Sequence, residues 1–153
     1  MTAKAALAGR RLQAWLVSML SIVADAYGAG EVLGAGAPLT FGGQTLMPAA
    51  ALRDGDGQLA LVVDVLETRG DAAARRAAYG AAGVCECWQL SPDGARAELY
   101  QRSAAGGYDL IPPDAHGSHF SAVLEELVFP VTWFVEQPRA LDMMQAWGLI
   151  DLE

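Results

Sequence analysis

The spacing of hydrophobic and polar residues changes period several times along this chain. Leu12, Trp15, Leu16, Met19, Leu20 and Val23 recur at helical intervals, with Arg11, Ala14, Ser18, Ser21 and Asp25 on the opposite side. That spacing predicts an amphipathic helix over roughly residues 4–26, ended by the glycines of YGAG. EVLG, PLTF and QTLMPA follow as short strand candidates, with FGG as a hairpin turn and RDGDG as a loop. QLALVVDVLE is almost wholly apolar and predicts a central strand covered on both faces. DAAARRAAYGAAG then predicts a helix, with Asp71 placed to cap its start and Gly83 to end it. VCECWQL, ARAELYQR and YDLI read as strands separated by the turns SPDG and SAAGG. A short helix near SAVLEEL and a tail helix after Pro138 complete the chain. Strand, helix and strand in the middle imply parallel neighbours joined by a crossover, with antiparallel strands added. The fold class is therefore α/β, or α+β in looser terms: a mixed β-sheet flanked by helices.

One residue breaks the pattern of the strongest strand. Asp64 stands among Leu61, Val62, Val63, Val65 and Leu66. A carboxylate in such a run is costly to bury unless it is paired, hydrogen-bonded or bound to a metal. Its partner is the chief question that the sequence raises.

Charge and composition narrow the answer. The 153 residues are enough for one domain with a sizeable core. A formal net charge of −8 disfavours long-range attraction to DNA, and Arg10, Arg11, Arg69, Arg75 and Arg76 are the only grouped basic residues. The N-terminal segment imitates a secretory leader, but its helical spacing marks it as a helix packed on a core. No stretch reaches the length of a membrane span. Two cysteines, Cys85 and Cys87, agree with a reducing compartment, so a cytoplasmic location is expected. The 53% hydrophobic content leaves apolar surface for a homodimer to hide. Phe129, Trp133, Phe134, Trp147, Met143 and Met144 crowd the C-terminal region, and DMMQAW reads as a docking helix between two copies.

The middle of the chain resembles the Uma-two family of restriction-endonuclease-like proteins. The residues that carry the likeness are LALVVDVLE, then RGDAAARRAAYGAAGVCECWQLSPDG, then AELYQRSAAGGYDLI. Tyr79 matches the family's helix, and Gly83, Val84, Glu86 and Trp88 match its next strand. The resemblance spans about residues 5–135, leaving a helical tail at about 138–150, and implies one restriction-endonuclease-like domain over 1–153. It further implies a site of the PD-(D/E)xK kind, in which two carboxylates hold Mg²⁺ or Mn²⁺ for phosphodiester hydrolysis of DNA. Carried onto this chain, the second acid is Asp64 and the position of the first acid, after Pro48, is Ala49. The lysine position, four residues before Tyr79, is Arg75, whose planar guanidinium does not give up its proton. The resemblance thus leaves Asp64 as the metal ligand, with Glu67 or Glu31 as helpers, and Arg75 on the phosphate. Asp64, Arg75 and Glu67 are then the catalytic candidates.

Loss of the first acid predicts an impaired site. Glu67, three residues from Asp64, faces the other side of a regular strand. If the helix packs as the resemblance implies, Arg75 points at Asp64 and the pair satisfies both charges without a metal. A non-catalytic, homo-oligomeric binding protein that keeps the nuclease fold is the alternative function. Two other constellations are weaker. Cys85, Cys87, His116 and His119 are four soft ligands for zinc, but paired C-x2-C spacing is absent. A Cys–His nucleophilic pair would need an electropositive setting, and Glu86 beside the thiols opposes it.

Overall fold

A computed structural model describes residues 2–124 and 127–151. Helix α1 spans Ala3–Tyr27; Thr2 Oγ1 accepts a hydrogen bond from the Ala5 N–H, and Gly28 closes the helix at φ 63°. Leu12, Trp15, Leu16, Met19, Leu20 and Val23 are buried, the stripe that the spacing predicts.

Six strands form the main sheet: β1 (Glu31–Leu33), β4 (Ala50–Arg53), β5 (Leu59–Val65), β6 (Glu86–Leu90), β7 (Ala97–Arg102) and β8 (Tyr108–Leu110), in that spatial order. The β5–β6 pair is parallel, and the others are antiparallel. The parallel pair is joined by α2 (Ala72–Ala81). Two short ribbons lie outside this sheet: β2–β3 (Leu39–Phe41 and Gln44–Leu46) and β9–β10 (Ser118–Phe120 and Val128–Pro130). Gly42 and Gly43, both at positive φ, make the turn of the first ribbon. Helices α3 (Trp133–Glu136) and α4 (Ala140–Ala146) end the described chain. This is the mixed sheet flanked by helices expected from the sequence.

Two cores cover the two faces of the sheet. On one, α1, Leu124, Leu127, Phe129, Phe134 and Met143 pack on Ala50, Leu52, Val63, Trp88 and Leu90. On the other, the β2–β3 ribbon and Tyr79 of α2 pack on Ala51, Val62, Cys87 and Tyr100. Residues of β5 and β6 are buried on both sides, which explains their near-continuous apolar runs.

Several local expectations change. Strand β4 forms from AALR, where small residues give no period to read. Asp71 stands at the N-cap of α2 but makes no side-chain cap bond. Residues 122–124 form a bend where the sequence predicts a helix, and residues 125–126 of that stretch lie outside the described residues. The DMMQAW segment docks within its own chain. Met143 is buried, the Trp15 indole N–H donates to the Pro138 carbonyl at 2.9 Å, and the Trp147 indole N–H donates to Val128 O at 2.9 Å. Among the described residues, no helix is long and apolar enough to cross a membrane.

Candidate functional site

Alternation along β5 sends Val62 and Asp64 to the face covered by α2, and the parallel register puts Gln89 of β6 beside Asp64. Arg75 and Tyr79 lie one helical turn apart on α2, so both reach that face. Four hydrogen bonds converge on the Asp64 carboxylate. Arg75 Nε donates to Oδ2 at 3.0 Å and Nη2 to Oδ1 at 2.8 Å, a two-pronged pair. The Tyr79 hydroxyl donates to Oδ1 at 2.7 Å, and the Gln89 amide donates to Oδ2 at 3.3 Å. The Asp64 side chain has no exposure, whereas Arg75 keeps 18%.

Neighbouring residues hold this cluster rigid. Gln89 also donates to the Ala72 carbonyl at 3.0 Å and accepts from Arg76 Nη1 at 2.6 Å. The Arg76 guanidinium lies 4.4 Å from the centre of the Tyr100 ring, a cation–π contact. Phe41 of the β2–β3 ribbon packs edge-on against Tyr79 at 4.9 Å between ring centres, closing the cluster from above. Burial and the adjacent Asp64 charge push the Tyr79 phenol well above its ordinary range. The hydrogen bond to Asp64 holds Arg75 more firmly protonated, against the opposing effect of burial.

The other residues of the expected site fall elsewhere. The backbone brings position 49 beside the strand step, with the Ala49 N–H donating to Val63 O at 2.8 Å, but the side chain there is a buried methyl. Glu31 pairs with Arg53, and Arg53 pairs with Leu59, so Glu31 lies two strands over and about 16 Å along from Asp64. Glu67 lies beyond the end of β5, exposed, in a hollow with Thr2, Lys4, Ala5 and Ala8 of the α1 segment. Strand register separates Glu31 from Asp64, and Glu67 follows the end of β5 in the hollow beside α1. Among the described residues, no three His, Cys, Asp or Glu side chains are grouped to hold a metal ion. A divalent cation of the Mg²⁺ or Mn²⁺ type takes about six oxygen ligands, commonly with one or two carboxylates. This donor set offers one carboxylate, already bonded to four protein donors, with a cation at its mouth; it does not fit such an ion.

The soft-ligand set is also dispersed. Cys85 is exposed at the start of β6, and Cys87 is buried in the α2-side core, its thiol pushed up chiefly by that burial. His119 lies on the opposite face, where its Nε2 is 2.9 Å from Glu86 Oε2. His116 is on the exposed turn before β9.

Gln89 is a participant that the sequence reading does not single out, and Glu86, named there only as a match and as a charge beside the thiols, is buried on the opposite face of the same strand. Gln89 is a polar residue in a strand otherwise filled by buried side chains, the same anomaly that marked Asp64. Glu86 is a fully buried carboxylate three residues earlier in that strand. Both are visible as charge or amide in the run ECWQL.

Sheet order, the parallel central pair and the crossover helix make a mixed α+β fold. Its likeness to a solved structure is direct: a candidate nuclease of the DUF820 family from Anabaena variabilis superposes with a TM-score of 0.64. The match covers 82% of this chain and 79% of that one, at 14% sequence identity, and it establishes the fold. DUF820 is the Uma-two family that the sequence resembles. No protein-family profile matches the chain, and no curated protein matches it.

Proposed function

We propose that residues 1–153 form one nuclease-fold unit that does not hydrolyse phosphodiesters and acts as a self-associating binding protein. The observation that carries this reading is the state of Asp64: both oxygens are bonded to Arg75, Tyr79 and Gln89, and position 49 supplies no second acid. An internal guanidinium supplies the positive charge that a metal would bring to the carboxylate. The net charge of −8 supports a partner other than DNA. Exposed Leu110, Phe120, Val135 and Leu141 supply apolar surface for self-association.

Supercoiled plasmid incubated with the purified chain in millimolar Mn²⁺ or Mg²⁺ tests the first part. The expected result is no nicking beyond the metal-only control. Mn²⁺-dependent nicking that disappears in Asp64→Asn would overturn it and restore the alternative, a metal-dependent nuclease with Asp64 as ligand, Arg75 on the phosphate and Glu67 assisting. Light scattering after size exclusion of the same preparation is expected to give a dimer mass. A monomer across the working concentration range removes the self-association.

A further inference from the structure

A second buried carboxylate lies on the opposite face of β6 and takes no part in the Asp64 cluster. Glu86 has no solvent exposure, and its two oxygens have five partners. Oε2 accepts from the Trp88 indole N–H at 2.6 Å and lies 2.9 Å from His119 Nε2. Oε1 accepts from Ser121 Oγ at 2.9 Å, the Ala122 N–H at 2.7 Å and the Val123 N–H at 3.3 Å. A carboxylate at Oε2 calls for the tautomer with hydrogen on Nε2. That tautomer leaves His119 Nδ1 as a bare acceptor, buried and without a hydrogen-bond partner among the described residues.

Four of those five partners belong to the segment that leaves β8 and ends in α4. This C-terminal arm is tied together internally. Val131 N donates to Gly117 O at 3.0 Å, the Trp147 indole donates to Val128 O at 2.9 Å, and the Trp133 and Trp147 rings lie 5.4 Å apart. The arm's ribbon, β9–β10, shares no ladder with the six-stranded sheet. Among the described residues, its other side-chain hydrogen bonds to the body are the Gln101 amide to Phe120 O, which is exposed, and the Trp15 indole to Pro138 O, which is half-buried. The fully buried polar ties of the arm therefore end on Glu86.

From this arrangement we infer that Glu86 is a latch: the C-terminal arm, described over residues 117–124 and 127–147, opens from the sheet as a cooperative unit, and the Glu86 carboxylate sets how often it does. Opening uncovers the apolar sheet face of Trp88, Leu90 and Leu99, which the arm covers with Leu127, Phe129 and Phe134. Supersecondary units open separately from one another, and this one meets the sheet through apolar side-chain packing and the Glu86 ties, with no strand ladder joining the two among the described residues.

Glu86→Gln loosens the latch in a defined way. If the amide oxygen keeps Ser121, Ala122 and Val123, the amide NH₂ faces the Trp88 N–H, donor against donor. His119 must then accept at Nε2, which leaves its Nδ1–H buried without an acceptor. Native-state hydrogen exchange followed by mass spectrometry on the full chain reads the result. The expected outcome is exchange on the order of tenfold faster in peptides of the arm, with β4–β7 at wild-type protection. Ser121→Ala removes one donor to Glu86 together with the acceptor for the Val123 and Leu124 N–H groups, and is expected to give the same selective pattern at about threefold or more; it decides the matter if Glu86→Gln does not fold. Leu61→Ala, in the buried centre of β5, is the control in which sheet and arm speed up together. Equal acceleration of arm and sheet in the Glu86 and Ser121 variants, or no acceleration, would overturn the latch.

Discussion

Arg75→Ala is expected to lower the unfolding free energy by about 3–5 kcal/mol, because it leaves the Asp64 carboxylate buried with its cation removed. The size of the loss follows from asymmetry. A buried ion pair as a whole is worth little against a well-packed apolar pair, since desolvation offsets most of the attraction. Breaking one half strands the other, and with the fold intact the Asp64 side chain has no exposure of its own. Arg75→Lys keeps a charge but loses the two-pronged geometry, and a cost of about 1–2 kcal/mol is expected. Replacing both groups, Asp64→Leu with Arg75→Met, is expected to recover stability to within about 1 kcal/mol of wild type. Urea unfolding followed by circular dichroism measures all three. An Arg75→Ala midpoint equal to wild type would show that Asp64 is not held by this pair.

Trp88→Ala is the second large effect, expected at about 4 kcal/mol or more. Trp88 is fully buried at the meeting point of sheet and arm, with ring centres 5.4 Å from Phe129 and 5.9 Å from Phe134 and His119. Truncation leaves a large cavity between rings that lie on different elements and do not collapse together. It also removes the indole N–H from Glu86 Oε2. Trp88→Phe separates the two causes: most of the volume stays while the donor is lost, and about 1–3 kcal/mol is expected. Equal costs for the two variants would assign the whole effect to the hydrogen bond, contrary to the packing described here.

Much of this architecture is legible in the sequence, and the exceptions have physical reasons. The stripe of α1 and the apolar runs of β5 and β6 are long enough for period and composition to decide. Strand β4 is made of AALR, where small side chains carry neither alternation nor β-propensity and tertiary pairing alone fixes the structure. The three-residue strands β9 and β10 are shorter than any periodic signal. The Asp64–Arg75 pair is readable once the helix is placed by resemblance, because an acid in an apolar strand requires a partner. Gln89 and Glu86 carry the same signal at the next strand, yet their partners come from Ala72, Arg76 and the remote Ser121 turn, which no local pattern links to them. Register places Glu31 two strands from Asp64, and Glu67 lies past the end of β5, where the periodicity of the strand no longer tells which way a side chain faces.

Protein donors satisfy Asp64, and metal-dependent thermal stability tests that most directly. A cation that bound the folded chain at a hundred times its dissociation constant would add about 2.7 kcal/mol, a shift of several degrees in Tm. The expected result is a wild-type Tm unchanged, to within about 1 °C, from metal-free buffer up to millimolar Mn²⁺. A saturable rise in Tm with Mn²⁺ that is lost in Asp64→Asn would contradict it.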